Sequence, residues 1–183
     1  MIHFPTSSPD ASPVDLWRVQ NEILAVAESL LGPRDCSKHI CQPVFKDDGP
    51  YLINTKDGAC AALSNNAAGY WPTAVYELAH ETVHLLNPVE GTTNWLEEGV
   101  AVAFSVHVSN TMTPHKMAPA DGSSYDKALK LVHHLAEPCF DAATRIRQKS
   151  GSLSGATEET LHTLFPTVEE DVIQRLVTNC TPR

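Results

Sequence analysis

The sequence predicts an α+β fold in which a short antiparallel sheet packs on a mainly helical body. Three observations lead there. Several stretches repeat apolar residues at helical spacing. Residues 40–64 hold two short apolar runs divided by Asp57-Gly58, a hairpin-type turn signal. One helical stretch is apolar on most sides yet contains His80-Glu81-Thr82-Val83-His84, and buried ionisable groups need a partner or a ligand. With 183 residues, 42% of them hydrophobic, the chain is long enough for one domain with a sizeable core, spanning residues 1–183. It has no repeat and no low-complexity tract.

The elements follow in order. Residues 1–12 are rich in Ser and Pro and read as a loose leader. Ser12-Pro13-Val14-Asp15 then resembles a capped helix start with Pro in the first turn. Leu16, Val19, Ile23, Val26, Leu30 and Leu31 form an apolar stripe, and Gly32-Pro33 stops it. Tyr51 to Thr55 and Cys60 to Leu63 are the two strands. Tyr70-Trp71-Pro72 opens the next helix, and Asn87-Pro88 ends it because the residue before proline is pushed out of helical geometry. A second buried helix covers the run Val100 to Val108. Ser109 to Gly122 is polar, contains His115 and two prolines, and reads as a loop. Ser123 caps an amphipathic helix reaching Leu135. Pro138 breaks the chain before a helix over Cys139 to Lys149. Residues 150–156 form a Gly/Ser hinge. Two closing helices run over Thr157 to Leu164 and Thr167 to Val177, the second with a Thr-x-x-Glu cap.

The segment His80 to His84 is an HExxH sequence on a helix. Residues four apart share a face, with Cβ atoms ~5–6 Å apart, so both imidazoles can reach one metal ion. Glu81 lies beside the first of them, where its carboxylate can reach a water on that metal. This is why the pattern goes with zinc hydrolysis. The plain reading is a core helix whose histidines make ordinary hydrogen bonds. A catalytic zinc needs three protein ligands and an open position, so a further ligand is required.

Downstream stands Asn94-Trp95-Leu96-Glu97-Glu98-Gly99-Val100-Ala101. An HExxH followed by W-L-x-E-G-x-A resembles the gluzincins, the thermolysin-like and aminopeptidase-like zinc peptidases. The resemblance covers Tyr51 to Leu135. It implies a small zincin-like catalytic core, a Zn2+ cofactor, and peptide-bond cleavage by Glu-assisted attack of zinc-bound water. Carried over by position, the metal ligands are His80, His84 and Glu98, and Glu81 is the base. Helix geometry agrees that a carboxylate at the start of a second buried helix can be delivered to the first. Glu97 points ~100° away on that helix and is the fallback ligand, or a solvated or capping acid. The family's aspartate one turn after the glutamate is replaced here by Val102, so any group orienting a ligand histidine comes from elsewhere; Glu77 is one candidate.

The same resemblance extends to Tyr125, Ala128, Val132 and Leu135, which match a downstream Y-x-x-A-x-x-x-V-x-x-L helix. In the family a Tyr or His from this region faces the zinc and stabilises the oxyanion. Tyr125 is the first choice and His133 the second, because His133 lies ~80° off the face that Tyr125 shares with Val132. The family also places an edge strand beside the metal helix, where a substrate peptide adds as another strand. Cys60 to Ser64 would be that edge.

Other assignments stay open. Metzincins use HExxHxxGxxH, which puts the third ligand at Glu90 and Asn87 at the glycine position. Deformylases pair HExxH with an upstream cysteine; Cys60 is the candidate, but its Gly-Ala-Cys context lacks their surrounding pattern. A catalytically idle zincin-fold scaffold or binding protein, or an amidohydrolase acting on non-peptide substrates, would share the motif.

Composition narrows the partners. A formal net charge of −9 argues against nucleic acid, whose phosphate backbone is held by Lys and Arg. No run is long and apolar enough to span a membrane. The N-terminus lacks the charged start and apolar run of a secretory signal, which points to a cytoplasmic protein. Its five cysteines then read as reduced thiols. Cys36-Ser37-Lys38-His39-Ile40-Cys41 mixes soft ligands but fits no common zinc spacing. The expected partner is a peptide or protein substrate.

Overall fold

A computed structural model describes residues 1–89, 91–135 and 137–180. The secondary structure is α+β and mostly helical, as the periodicity predicts. In chain order the elements are α1 (Pro13–Leu31), β1 (His39–Ile40), β2 (Val44–Lys46), β3 (Tyr51–Asn54), β4 (Gly58–Ser64), α2 (Asn65–Ala68), α3 (Trp71–Leu86), α4 (Trp95–Met112), α5 (Ser124–Val132), α6 (Cys139–Ser150), α7 (Glu158–Leu164) and α8 (Glu170–Val177). Among the described residues no helix is long and apolar enough to cross a membrane.

The described residues gather into two compact units. The first comprises Met1–Glu28, Pro33–Val89 and Phe104–Ala118, and it holds the sheet. β3 and β4 form the expected antiparallel hairpin, registered from Tyr51 opposite Ala62 to Asn54 opposite Ala59. Thr55 closes the turn: its N–H and its hydroxyl both donate to the Gly58 carbonyl, at 2.8 and 2.9 Å. The sheet as a whole is mixed rather than antiparallel. β1 and β2 both pair parallel to β4, at Gly58–Ala59 and at Ala62–Ser64 respectively. They are two pieces of one extended segment, broken before Val44 by Pro43, which has no N–H for a ladder.

Two consequences follow for β4. It is not the edge strand that the sequence suggests, because β3 takes one of its edges and β1 and β2 take the other. The chain must also pass across its end to get from β2 to β3, and Gly49 makes that passage possible. A Cβ on Gly49 would stand 2.7 Å from the backbone of Leu63.

α3 packs on β4 and β3, with Val75, Leu78 and Ala79 fully buried on its side and Ala59, Ala61 and Leu63 on the strand's. Glu77 pins the two together, its carboxylate accepting from the Ser64 N–H at 2.8 Å and from the Ser64 hydroxyl at 2.6 Å. Ile2 and Ser7, among the first 12 residues, make defined contacts with the helices. Ile2 is buried and its N–H donates to the Met112 carbonyl, while the Trp71 indole donates to the Ser7 carbonyl at 2.8 Å. α4 continues past Ser109, where the sequence reads as loop. The hydroxyls of Thr111 and Thr113 fold back onto the carbonyls of His107 and Ser109 four residues earlier, and Ser109 itself is buried. These hydroxyls are satisfied within the helix itself, so the polar composition does not by itself end it at Ser109.

The second unit comprises Ser29–Gly32, Glu90–Ala103 and Pro119–Arg183. Here α5 lies against the first turns of α4 at Gly99, where an added Cβ would sit 2.4 Å from the Ala128 carbonyl oxygen and from Val132 Cγ1. Trp95, Ala128 and Cys180 form a small apolar cluster with Leu131, and the Arg175 guanidinium stacks over the Trp95 ring at 4.4 Å. The sequence places the stop of α1 correctly at Gly32, which has φ +83°. Thr144 and Arg147 of α6 then bond the last carbonyls of α1, those of Leu30 and Leu31, which helix geometry leaves without partners, and Arg147 also bonds that of Gly32 just past its end. Residues 150–156 are anchored at two points. Leu153 and Ala156 are buried, and the Leu153 carbonyl accepts from the Asn94 amide at 3.1 Å. α5 ends at Val132, short of Leu135, and α8 starts one turn later than its Thr-x-x-Glu sequence suggests, with Glu169 at the N-cap.

Candidate metal centre

α3 supplies two histidines because its sequence makes it both long and inward-facing. Pro72 sits in its first turn and Tyr70 precedes it in extended geometry. Thirteen of its sixteen residues are buried, so His80 and His84 cannot turn to solvent. They are 6% and 7% exposed, and their rings stand edge to face with centroids 5.1 Å apart. Glu81, between them in sequence, is only 2% exposed.

The start of α4 is held by a set of bonds that the sequence does not announce. Asn94 caps the helix, its side-chain oxygen accepting from the Glu97 N–H at 2.9 Å. The segment leading into it pairs with the chain's last described residues. Trp95 N–H donates to the Thr178 carbonyl at 3.1 Å, Cys180 N–H donates to the Thr93 carbonyl at 2.8 Å, and Asn94 and Asn179 form an antiparallel bridge. Within this frame the two glutamates part. Glu97 accepts a hydrogen bond from the Ser154 hydroxyl, and Glu98 accepts one from the Thr93 hydroxyl on Oε1. Both carboxylates are buried, at 3% and 5% exposure. Glu97 is therefore not a solvated acid; it is tied to the loop at Ser154 and does not belong to the His80–His84–Glu98 group.

His80, His84 and Glu98 each offer one ligand atom, and these atoms all lie within 4.8 Å of one another. Ligand atoms ~2.1 Å from a tetrahedral ion stand ~3.4 Å apart, so this spacing is of the order that a shared ion sets. Two imidazoles and a carboxylate are donor types that a divalent transition metal takes. The group can bind a metal ion. It is the one such set of three among the described residues.

The remaining expected residues are placed as follows. Tyr125 lies half-buried in the first turn of α5. His133 is the C-cap of the same helix and is exposed. Glu77 spends both carboxylate oxygens on Ser64, so it is a clamp between α3 and β4 and not the group that orients a ligand histidine. Cys60 lies in β4, outside the His80–His84–Glu98 set. Glu90, the third ligand on the metzincin pattern, lies outside the described residues. Cys36, His39 and Cys41 belong to no three-ligand group among the described residues.

Electrostatics mark the neighbourhood of Glu98. Burial, and then the negative charge of Glu98, push the Cys180 thiol up to about 12. Burial alone does the same to Tyr76 in α3, also to about 12. Both groups stay protonated at neutral pH.

The sequence reading missed Thr93, Asn94 and Ser154. The only local signal was Asn94 standing three residues before Glu97, a capping spacing that the W-L-x-E-G pattern overshadowed. Comparison of the chain with protein-family models, curated proteins and solved structures finds no match.

Proposed function

We propose that the chain is a zinc-dependent hydrolase that cleaves peptide bonds on the gluzincin plan, with His80, His84 and Glu98 as metal ligands and Glu81 as general base. One observation carries the reading. Three buried donor atoms of suitable chemistry lie within 4.8 Å of one another, and the helix that provides two of them also carries the buried carboxylate of Glu81. A purely structural metal site has no use for that carboxylate. Three protein ligands leave a tetrahedral ion one position for solvent or substrate. A bound Zn2+ would supply Lewis acidity and bring the pKa of water toward ~7.

The chain's own residues account for the rest of the reaction. Glu81 takes a proton from the attacking water as its oxygen bonds to the scissile carbonyl carbon. It holds that proton until the C–N bond breaks and then delivers it to the leaving amine. Thr93 holds one oxygen of Glu98 and so limits the rotation of that carboxylate. Tyr125 is assigned, on the resemblance of its helix, to donate to the carbonyl oxygen as negative charge develops there. His133 is the weaker choice, being exposed at the end of α5. Addition of substrate as a strand along β4 is no part of the proposal, because both edges of β4 are taken.

The test is a metal assay and a peptide-library digest run in parallel. The purified protein should carry ~1 zinc per chain and cut library peptides. Glu81→Gln should keep the metal and lose the cutting. A wild type that retains zinc and cuts nothing would favour the scaffold reading, and activity confined to non-peptide amides would favour the amidohydrolase.

A further inference from the structure

Three of the five cysteines lie outside the metal centre and near the sheet, and two of those three share a register. β1 runs parallel to β4 with His39 opposite Gly58 and Ile40 opposite Ala59. The ladder extends one residue further, since the Cys41 N–H donates to the Ala59 carbonyl at 2.8 Å. Cys41 therefore stands opposite Cys60. Residues 58 and 60 point to the same face of β4, and Cys41 Sγ lies over that face, 3.1 Å from where a Gly58 Cβ would be. The absence of a side chain at Gly58 leaves the sulfur room to turn.

Access and spacing both suit a bond. Cys41 is exposed and Cys60 half-buried, and both are free thiols. Neighbouring strands lie ~4.8 Å apart, inside the ~4.4–6.8 Å range of Cα separations that disulfides span. β1 is only two residues long, so it can shift to bring the sulfurs together.

We propose that Cys41 and Cys60 are a redox-active dithiol that closes to a disulfide by exchange with a small-molecule disulfide such as oxidised glutathione. The exposed Cys41 thiolate attacks one sulfur of the oxidant, forming a mixed disulfide and releasing one glutathione thiolate. The Cys60 thiolate then attacks Cys41 Sγ, and the second glutathione leaves. The two thiol protons end on two reduced glutathiones, and the two electrons reduce the oxidant. Cys60 is the slower partner, because burial, followed by the charge of Cys41, raises its pKa. The bond closes a loop of about 20 residues that contains β2 and β3.

The test uses the full chain with oxidised glutathione under native conditions, followed by tryptic mapping without reduction. Trypsin cuts after Lys38, Lys46 and Lys56, which puts Cys36, Cys41 and Cys60 on different peptides. The expected product is a crosslink between the Cys41 and Cys60 peptides, reversed by excess dithiothreitol. Cys36→Ser should keep it; Cys41→Ser and Cys60→Ser should each abolish it. Oxidation should also raise the Tm by roughly 5–10 °C in the wild type and leave it unmoved in Cys41→Ser, an exposed position where the substitution is tolerated. A Cys36–Cys41 crosslink, or glutathione held on Cys41 while Cys60 stays a thiol, would overturn the proposal.

Discussion

Thr93 donates a hydrogen bond to Oε1 of Glu98, five residues further along the chain. The two residues lie on either side of the Asn94 cap, so the start of α4 and the position of the carboxylate are set together. Replacing Thr93 by Val keeps the branched shape and removes the hydroxyl. Zinc affinity, read by competition with a chelator, should fall by roughly 10–100-fold while the helical circular dichroism signal is unchanged. Unaltered affinity would show that the hydroxyl does not position the ligand.

Glu98 and Glu97 should behave differently. Glu98→Gln should release zinc during purification. Glu97→Gln should retain it and lose stability instead, by ~1–3 kcal/mol in urea unfolding, because the part-buried Ser154 contact is weakened. Equal zinc retention in the two variants would refute the assignment of Glu98.

Gly99 is a packing residue. Its missing Cβ admits the Ala128 carbonyl and Val132 at 2.4 Å. Gly99→Ala should therefore destabilise the chain by roughly 1–3 kcal/mol through overpacking, even though alanine is the better helix former. Guanidinium unfolding checks the sign. A stabilised variant would mean that α5 does not approach α4 this closely.

Glu77 makes a contrasting control. It bonds Ser64 twice, so Glu77→Gln should cost ~1–2 kcal/mol and leave metal affinity as it was. A drop in affinity without a drop in stability would return Glu77 to the role of orienting a histidine.

Asp126 governs the acid side of stability in α5. It accepts from Lys130 Nζ at 2.7 Å and from the Gly122 N–H at 2.9 Å. The Lys130 hydrogen bond, then the Gly122 N–H, hold its carboxyl below its ordinary value of 3.8. Folding therefore gains from the charged form above that ordinary value and loses the gain as pH falls through the lower, folded-state value. The stability gap between wild type and Asp126→Asn should be widest near neutrality and shrink below pH ~3.8. A gap that does not change with pH would assign the effect to something other than the charge.

The helices and half of the candidate centre were legible because they depend on local spacing. His80, Glu81 and His84 fall together on α3 by helical geometry, whatever surrounds them. The stop of α1 at Gly32 and the hairpin at Asp57-Gly58 are likewise local chemistry. The sheet was less legible. A two-residue strand and a three-residue strand carry too little pattern to reveal whether they pair parallel or antiparallel, or that they bury an edge of β4.

What the sequence by itself determined is that two imidazoles and a carboxylate share one buried helix, and that a second helix beginning with two acids follows. The W-L-x-E-G-x-A resemblance already favours Glu98; what only the tertiary structure decided is that Glu98 stands with His80 and His84 and is held by Thr93, while Glu97 is held by Ser154. The physical reason is separation along the chain. A helix sets the directions of its own side chains within a turn or two, but a hydrogen bond across 57 residues exists only once distant segments have been brought together.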